Sequence, residues 1–259
     1  MPSALVVNPN TSPAMTEEIR EIAERVFTPP WNCTVVCAPG GPESLESWRD
    51  YALAAVATMP LLEEHRSADG VVLACFGDPG LPALKEVAEV PVVGIAEAAL
   101  SQALLLGGRL GILAGMSRAV PLMDALVRDY GLGERYAGTE SLELRVLQLG
   151  ADRAATLQAL TAAAGRLARR GADVLVLGCA GLGPFRAELA GAVPLAVIDP
   201  VDAGCRALRA LVEAGLSTGR AGLYARPPPQ RMNRLEAVFS PGLSRLLERW
   251  GRGDGEVEP

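Results

Sequence analysis

Residues 69–98 read DGVVLACFGDPGLPALKEVAEVPVVGIAEA, and residues 172–201 read ADVLVLGCAGLGPFRAELAGAVPLAVIDPV. Each stretch runs through an apolar Val/Leu segment, a cysteine, a Gly/Pro turn, a short helical segment, a Val-Pro pair, a second apolar run and an acid. The spacing agrees: Pro91 lies 16 residues after Cys75 and Pro194 lies 15 after Cys179, while Glu97 and Asp199 follow those prolines by six and five. Upstream, Asn8 precedes Cys75 by 67 residues and Ala114 precedes Cys179 by 65. Chance similarity between βα segments does not readily put a cysteine at the same strand end twice, so two copies of one unit are expected.

Working outward, short Val-, Ile- and Leu-rich runs alternate with longer stretches of helical period, the pattern of buried parallel strands and their crossover helices. Strands are expected over 4–8, 34–38, 70–75, 92–95, 110–114, 140–144, 173–179 and 195–198. Helices are expected over 14–26, 44–65, 80–87, 97–106, 118–130, 151–170, 184–189 and 201–214. The fold class is therefore α/β, as two related α/β/α units, each with a mainly parallel sheet, and an active site in the cleft between them. The first unit is expected to comprise residues 1–103 plus 208–259 and the second residues 104–207. The prolines of YARPPPQ (224–230) favour a stiff extended segment that returns to the first unit. Residues 232–250 carry Leu235, Val238, Phe239, Leu243, Leu246 and Leu247 at helical spacing, and GRGDGEVEP reads as a frayed end.

The chain has 259 residues, 49% hydrophobic and 21% charged, with 28 Gly and 20 Pro distributed as punctuation, as in a globular protein. Its net charge of −6 offers no basic field for a nucleic acid backbone or an anionic membrane surface, so both partners are expected to be absent. No run reaches the roughly 18 apolar residues of a spanning helix, and MPSALVVNPN has no leader pattern, which predicts a cytoplasmic protein. Five cysteines, an odd number in a chain this size, read as free thiols in a reducing compartment. Cys33 and Cys37 have no second ligand pair to close a zinc site. One histidine, His65, leaves no His-based metal centre and few triads, and at the end of a helical segment it reads as a solvated dipole partner. No metal or cofactor is expected. Glu97 and Asp199 read as helix caps.

Cys75 and Cys179 both fall at carboxyl ends of strands, where parallel α/β sheets bind ligands, just before a turn into a helix. A helix N-terminus lowers a thiol pKa, whereas Asp78 beside Cys75 raises it, so the sequence leaves the net sign open. Asp78-Pro79 and Pro184 read as helix starts. Any single cysteine ending a strand is more often core than catalytic; two in repeat-related positions beside glycine-bearing turns favour catalysis. Facing units place one sulfur on each side of a bound ligand. A thiolate removing a Cα–H from one face, with a thiol protonating the other, would invert a stereocentre. The enolate formed between those steps needs preorganised donors, for which the backbone N–H groups of Phe76, Gly77, Ala180 and Gly181 are candidates.

With these residues in view, VVNPNTSPAMT at the start, ACFGDPGL around Cys75, VPVVGIAEA, GCAGLGPF around Cys179, VIDPV and the closing ARPPP resemble the hydantoin and allantoin racemase branch of the aspartate/glutamate racemase superfamily. The resemblance covers most of residues 4–229. It implies two units related by pseudo-twofold symmetry, no cofactor, a homo-oligomer, and a two-cysteine mechanism carried by Cys75 and Cys179. Amino-acid racemases of that superfamily tend to place Asn-Thr after the first cysteine and Thr-His after the second, where this chain has Phe76-Gly77 and Ala180-Gly181. A cyclic, amide-flanked Cα–H, as in a 5-substituted hydantoin or allantoin, is thus the expected small-molecule substrate. Asn8, Asn10, Thr11 and Ser12 offer amide and hydroxyl groups to a ring carbonyl or N–H, or simply form the turn before the next helix. Relatives tend to carry Thr or Tyr after the first strand of the second unit. Here Ala114-Gly115-Met116-Ser117 leaves Ser117 as the hydroxyl, with Met116 and Phe76 as greasy walls. The competing expectations are an amino-acid racemase, an arylmalonate-type decarboxylase that needs only the second cysteine, a maleate-type isomerase with a nucleophilic cysteine, and a non-catalytic metabolite-binding protein.

Overall fold

A computed structural model describes residues 1–144, 151–226 and 231. The helix expected over 232–250 and the frayed end lie outside the described residues. Residues Met1–Ala225 form one compact unit. In it, eight parallel strands make two four-stranded sheets: β1 Ser3–Asn8, β2 Asn32–Cys37, β3 Gly70–Leu73 and β4 Val92–Gly94 in the first, β5 Leu110–Ala114, β6 Tyr136–Ser141, β7 Val174–Leu177 and β8 Ala196–Ile198 in the second. The order is β2-β1-β3-β4, then β6-β5-β7-β8, so the same topology occurs twice, as the repeat predicts.

The central strands are Val/Leu/Ile runs buried on both faces, and helices cover them: α1 Pro13–Val26, α2 Trp48–Glu64, α3 Leu81–Val87 and α4 Ile95–Ala103 in the first half, α5 Val120–Asp129, α6 Arg153–Arg169, α7 Arg186–Ala192 and α8 Pro200–Glu213 in the second. Ser12, Ser47, Asp152 and Asp199 cap α1, α2, α6 and α8 through their side chains, which fixes those helix starts. His65 is the C-cap of α2.

The last helix of each half reaches across: α4 packs on β7 and β8, α8 packs on β3 and β4, and the two helices pack on each other. One core cluster therefore runs through both sheets, holding Val6, Val72, Ile95, Ile112, Val176, Val201 and Leu208 together. Separate outer layers lie under α2 and α3 (Leu5, Leu61, Leu73, Leu84) and under α6 and α7 (Leu160, Leu167, Leu177, Phe185). Because the halves share a core, the carboxyl ends of β1, β3, β5 and β7 are held against one another.

Several boundaries shift by a few residues, α2 for instance beginning at Trp48 instead of 44, and three of the shifts have a plain physical reason. Strand β6 runs over Tyr136–Ser141 instead of 140–144, because an edge strand that buries only Ala137 and Thr139 lacks a continuous apolar signature. Helix α3 starts at Leu81 with Gly80 as N-cap, so Asp78-Pro79 precedes it in a turn where Asp78 adopts a φ of 42°. Pro184 lies within a 3-10 turn, Ala180–Phe185, and α7 begins only at Arg186.

Candidate active site

The two cysteines leave their strands in the same way. The N–H of Ala74 donates to the carbonyl of Val7 at 2.8 Å, and the N–H of Gly178 donates to that of Leu113 at 2.8 Å, so each chain holds its sheet until the residue before the sulfur. A tight turn follows: Asp78 N–H to the Cys75 carbonyl at 3.0 Å, Leu182 N–H to the Cys179 carbonyl at 3.1 Å. Both sulfurs reach one cavity of about 50 Å³. Its walls come from both halves: Asn10, Tyr51, Cys75, Phe76 and Gly77 from one, Met116, Met123, Cys179 and Ala180 from the other.

Seven of the residues singled out from the sequence thus meet: Asn10, Cys75, Phe76, Gly77, Met116, Cys179 and Ala180. Asn8, Ser12, Ser117 and Gly181 are not in the cavity wall. Asn8, fully buried, donates to Asn10 Oδ1 at 2.8 Å and to Thr16 Oγ1 at 2.9 Å. The Ser12 hydroxyl accepts from Met15 N–H as the α1 cap, and Thr11 Oγ1 donates to the Pro42 carbonyl at 3.3 Å. These side chains build the loop that presents Asn10. Ser117 is exposed at the start of a short 3-10 turn.

Burial decides the sign that the sequence left open. It pushes the Cys75 thiol up to about 12, with the N–H of Gly77 pulling down and the nearby Cys179 and Asp78 adding to the rise. Cys179 is pushed up to about 11, again chiefly by burial, with the N–H groups of Gly181 and Leu182 pulling down and Glu18 and Glu46 pushing up. The amides of Gly77 and Gly181 thus face the sulfurs, where they stabilise a thiolate. Both cysteines are protonated at neutral pH and become strong bases when ionised.

Tyr51 was not marked by the sequence. It sits on α2, one turn from the N-cap, and its ring covers Gly77: a Cβ there would lie 2.2 Å from Tyr51 Cζ. Burial and the two cysteines hold its hydroxyl well above its ordinary range, so it remains a neutral donor. Glu46 and Arg118 are the charged residues of the cavity wall. A tyrosine beside Trp48 at the start of an amphipathic helix was the available signal, but only packing reveals that this helix end covers the cleft.

Asp78 also does more than precede a helix. Its carboxylate accepts from the N–H groups of Ala96 at 3.1 Å and Glu97 at 2.9 Å, at the N-terminus of α4, and from the Tyr130 hydroxyl at 2.6 Å. Tyr130 closes α5, so the Cys75 turn is tied to the other half. Burial raises the Asp78 carboxyl to about 7.

Residues 5–208 match the family described as Asp/Glu/Hydantoin racemase. The chain belongs to that family. It is similar to the hydantoin racemase of Paenarthrobacter aurescens, 37% identical over 230 residues that cover 86% of this chain and 96% of that one. The structure is similar to the allantoin racemase from Klebsiella pneumoniae, with a TM-score of 0.85 and 34% identity over 93% of this chain and 100% of that one. The allantoin racemase of Pseudomonas fluorescens matches with a TM-score of 0.85 and 33% identity, covering 89% and 99%. This family member is accordingly an isomerase, a racemase. Among the described residues, no helix is long and apolar enough to cross a membrane, and no group of three or more His, Cys, Asp or Glu is placed to hold a metal ion.

Proposed function

We propose that the chain racemises 5-substituted hydantoins or allantoin by proton transfer between Cys75, Cys179 and the stereogenic carbon, without a cofactor. The observation that carries the reading is the convergence of the two repeat-related thiols on one cavity walled by both halves. The thiolate of one cysteine takes the Cα–H and becomes a thiol. The electron pair left on carbon delocalises into the ring carbonyl as an enolate, and the opposite thiol returns a proton to the other face, leaving its own thiolate. Each turnover so exchanges the protonation states of the pair, and reversal from the product enantiomer restores them.

The geometry supports this chemistry in three ways. A half-buried sulfur with a raised pKa is a stronger base once ionised, and the amides of Gly77, Gly181 and Leu182 reduce the cost of ionising it. The Tyr51 hydroxyl is the donor offered to a ring carbonyl or enolate oxygen, while Asn10, whose Nδ2 donates to Met15 Sδ at 3.1 Å, lies in the same wall. Phe76, Met116 and Met123 keep the site apolar, which strengthens those interactions. The same reading takes the substrate as a free small molecule and expects a homo-oligomer. The five free thiols favour a reducing, cytoplasmic setting.

The test is to incubate one enantiomer of a 5-substituted hydantoin in deuterated water while following optical rotation and deuterium at C5. Loss of rotation with one deuterium incorporated per inversion is expected. Substrate that binds and keeps both its configuration and its hydrogen would instead mark a binding protein.

A further inference from the structure

Inversion needs two sulfurs held at a fixed reach on opposite faces of one carbon, yet each sulfur rides on a turn anchored to its own sheet. Ala74 ties the Cys75 turn to β1 and Gly178 ties the Cys179 turn to β5, each within its own half. What sets one turn against the other comes from α1 and α5, which hold equivalent places as the first crossover helix of each half. Each reaches the cysteine turn of the opposite half. Helix α1 packs on the Cys179 turn, where a Cβ on Gly183 would lie 2.7 Å from Ile22 Cδ1. Helix α5 ends at Tyr130, whose hydroxyl donates to Asp78 Oδ2 in the Cys75 turn at 2.6 Å. The first brace is an apolar contact and the second is a hydrogen bond.

We propose that Tyr130 and Asp78 are a positioning pair for Cys75: their hydrogen bond holds the turn that carries this sulfur against the opposite half, and so fixes its reach to the carbon that Cys179 addresses from the other face. The inference rests on the two-cysteine reading above and deepens it. Asp78 lies three residues beyond Cys75, and its N–H closes the turn onto the Cys75 carbonyl at 3.0 Å. Its φ of 42° is in the left-handed region, uncommon for a residue with a side chain and kept only where the surroundings hold it. Those surroundings are on the page: the residue is 6% exposed, and its carboxylate accepts from Ala96 and Glu97 of its own half as well as from Tyr130 of the other. Neither Asp78 nor Tyr130 lines the cysteine cavity, so both act through the backbone of residues 75–78. A displacement of about 1 Å can cost about 10²-fold in rate. A turn released by that much loses turnover while the cavity wall, and with it substrate binding, stays in place.

Tyr130→Phe removes the hydroxyl and keeps the ring. It is expected to lower kcat for racemisation of a 5-substituted hydantoin at least tenfold, with KM changed less than threefold. Freed from its brace, Cys75 is expected to react with iodoacetamide at least threefold faster, read by mass spectrometry of the labelled peptides, while Cys179 keeps its wild-type rate. Asp78→Asn is expected to repeat the loss in kcat, and the double variant to lose no more than the worse of the two singles, because one contact is broken in all three. The control is Tyr136→Phe, which removes another hydroxyl of the same half. That hydroxyl bonds to Asp124 and Thr139, neither of which lines the cysteine cavity, so kcat and both labelling rates should hold. Wild-type kcat in Tyr130→Phe, or a Cys75 labelling rate that is unchanged or shifts equally with that of Cys179, overturns the positioning pair and leaves the two-cysteine reading intact. A wild-type chain that neither inverts the hydantoin nor exchanges its C5 hydrogen overturns that reading, and the pair with it.

Discussion

The two halves solve one local problem with the residues exchanged. In each, the helix after the last strand needs acceptors for the N–H groups of its second and third residues, and in each a buried carboxylate supplies them. In the second half the acid is the N-cap itself: Asp199 accepts from Val201 at 2.9 Å and Asp202 at 3.4 Å. In the first half the N-cap is Gly94 and the acid arrives from the cysteine turn, as Asp78 accepting from Ala96 and Glu97. The glycines are exchanged to match. A Cβ on Gly94 would lie 2.4 Å from Asp78 Cγ, and a Cβ on Gly183, in the Cys179 turn, would lie 2.9 Å from Asp199 Oδ2. What the two copies share is a carboxylate joining the cysteine turn to the following helix, whichever side provides it. The consequence is unequal: Asp78 stands close enough to Cys75 to raise its pKa, whereas Cys179 has two amides on its sulfur and no such neighbour on its own turn. Cys179 is instead pushed up by Glu18 and Glu46, which come from other elements.

The largest expected effect tests whether the halves are equal partners. Cys75→Ser and Cys179→Ser are each expected to lower kcat for racemisation by about 10²–10⁴, the usual contribution of a positioned acid or base. Full activity in Cys75→Ser would mean that one cysteine suffices, as in a decarboxylase scheme. The pH profile comes next. On the proposed mechanism one thiolate and one thiol are required, and burial holds the lower of the two thiol pKa values at about 11. Thiolate is formed as pH rises, so kcat/KM is expected to rise about tenfold per unit between pH 7 and 10. A plateau beginning near pH 8 would show that ionisation is far easier than the burial of these sulfurs implies.

A smaller effect concerns Gly77, whose backbone lies under the Tyr51 ring. Gly77→Ala forces a methyl into the Tyr51 ring and is expected to cost about 1–3 kcal/mol, as overpacking does. Thermal unfolding measures it, and in a Tyr51→Ala background the cost of Gly77→Ala should largely vanish. Equal costs in both backgrounds would mean that the ring is not what excludes a side chain there.

Much of this architecture was legible beforehand, and the reason is physical. Strands buried on both faces must be runs of Val, Leu and Ile, so β1, β3, β5 and β7 announce themselves, and the cysteines at their ends are fixed by counting. Edge strand β6, buried at alternate positions only, was placed four residues late. The site was legible where it consists of residues next to those strand ends: Cys75, Phe76, Gly77, Cys179 and Ala180 line the cavity as expected. It was illegible where tertiary packing brings in a side chain from elsewhere, as with Tyr51 from α2 and Met123 from α5. Asn8 and Ser12 show the converse, since a polar residue beside a site can be fully occupied in building the turn. The sign of the thiol shifts required knowing how deeply the sulfurs are buried, which no local pattern contains.

The smallest effect tests the exchange of acid and glycine most directly. Asp78→Gly removes the acceptors of the α4 N-terminus and is expected to cost about 0.5–2 kcal/mol, the range of a lost cap. Gly94→Asp alone places a carboxylate against Asp78 and should also destabilise. Combined, the two substitutions recreate in the first half the arrangement of the second, so the double variant is expected to be more stable than the sum of the single losses allows. The pH dependence sharpens the test. Burial lifts the Asp78 carboxyl to about 7 in the folded chain, against about 3.9 when unfolded, so the folded state holds this proton more tightly. The stability due to that proton is fully present below about pH 4 and is lost as pH rises through about 7. Asp78→Gly cannot show this loss, and its deficit relative to wild type should therefore be greater at pH 5 than at pH 8. A deficit that grows from pH 5 to pH 8 would mean that the ionised carboxylate, attracted to the α4 N-terminus, outweighs its burial.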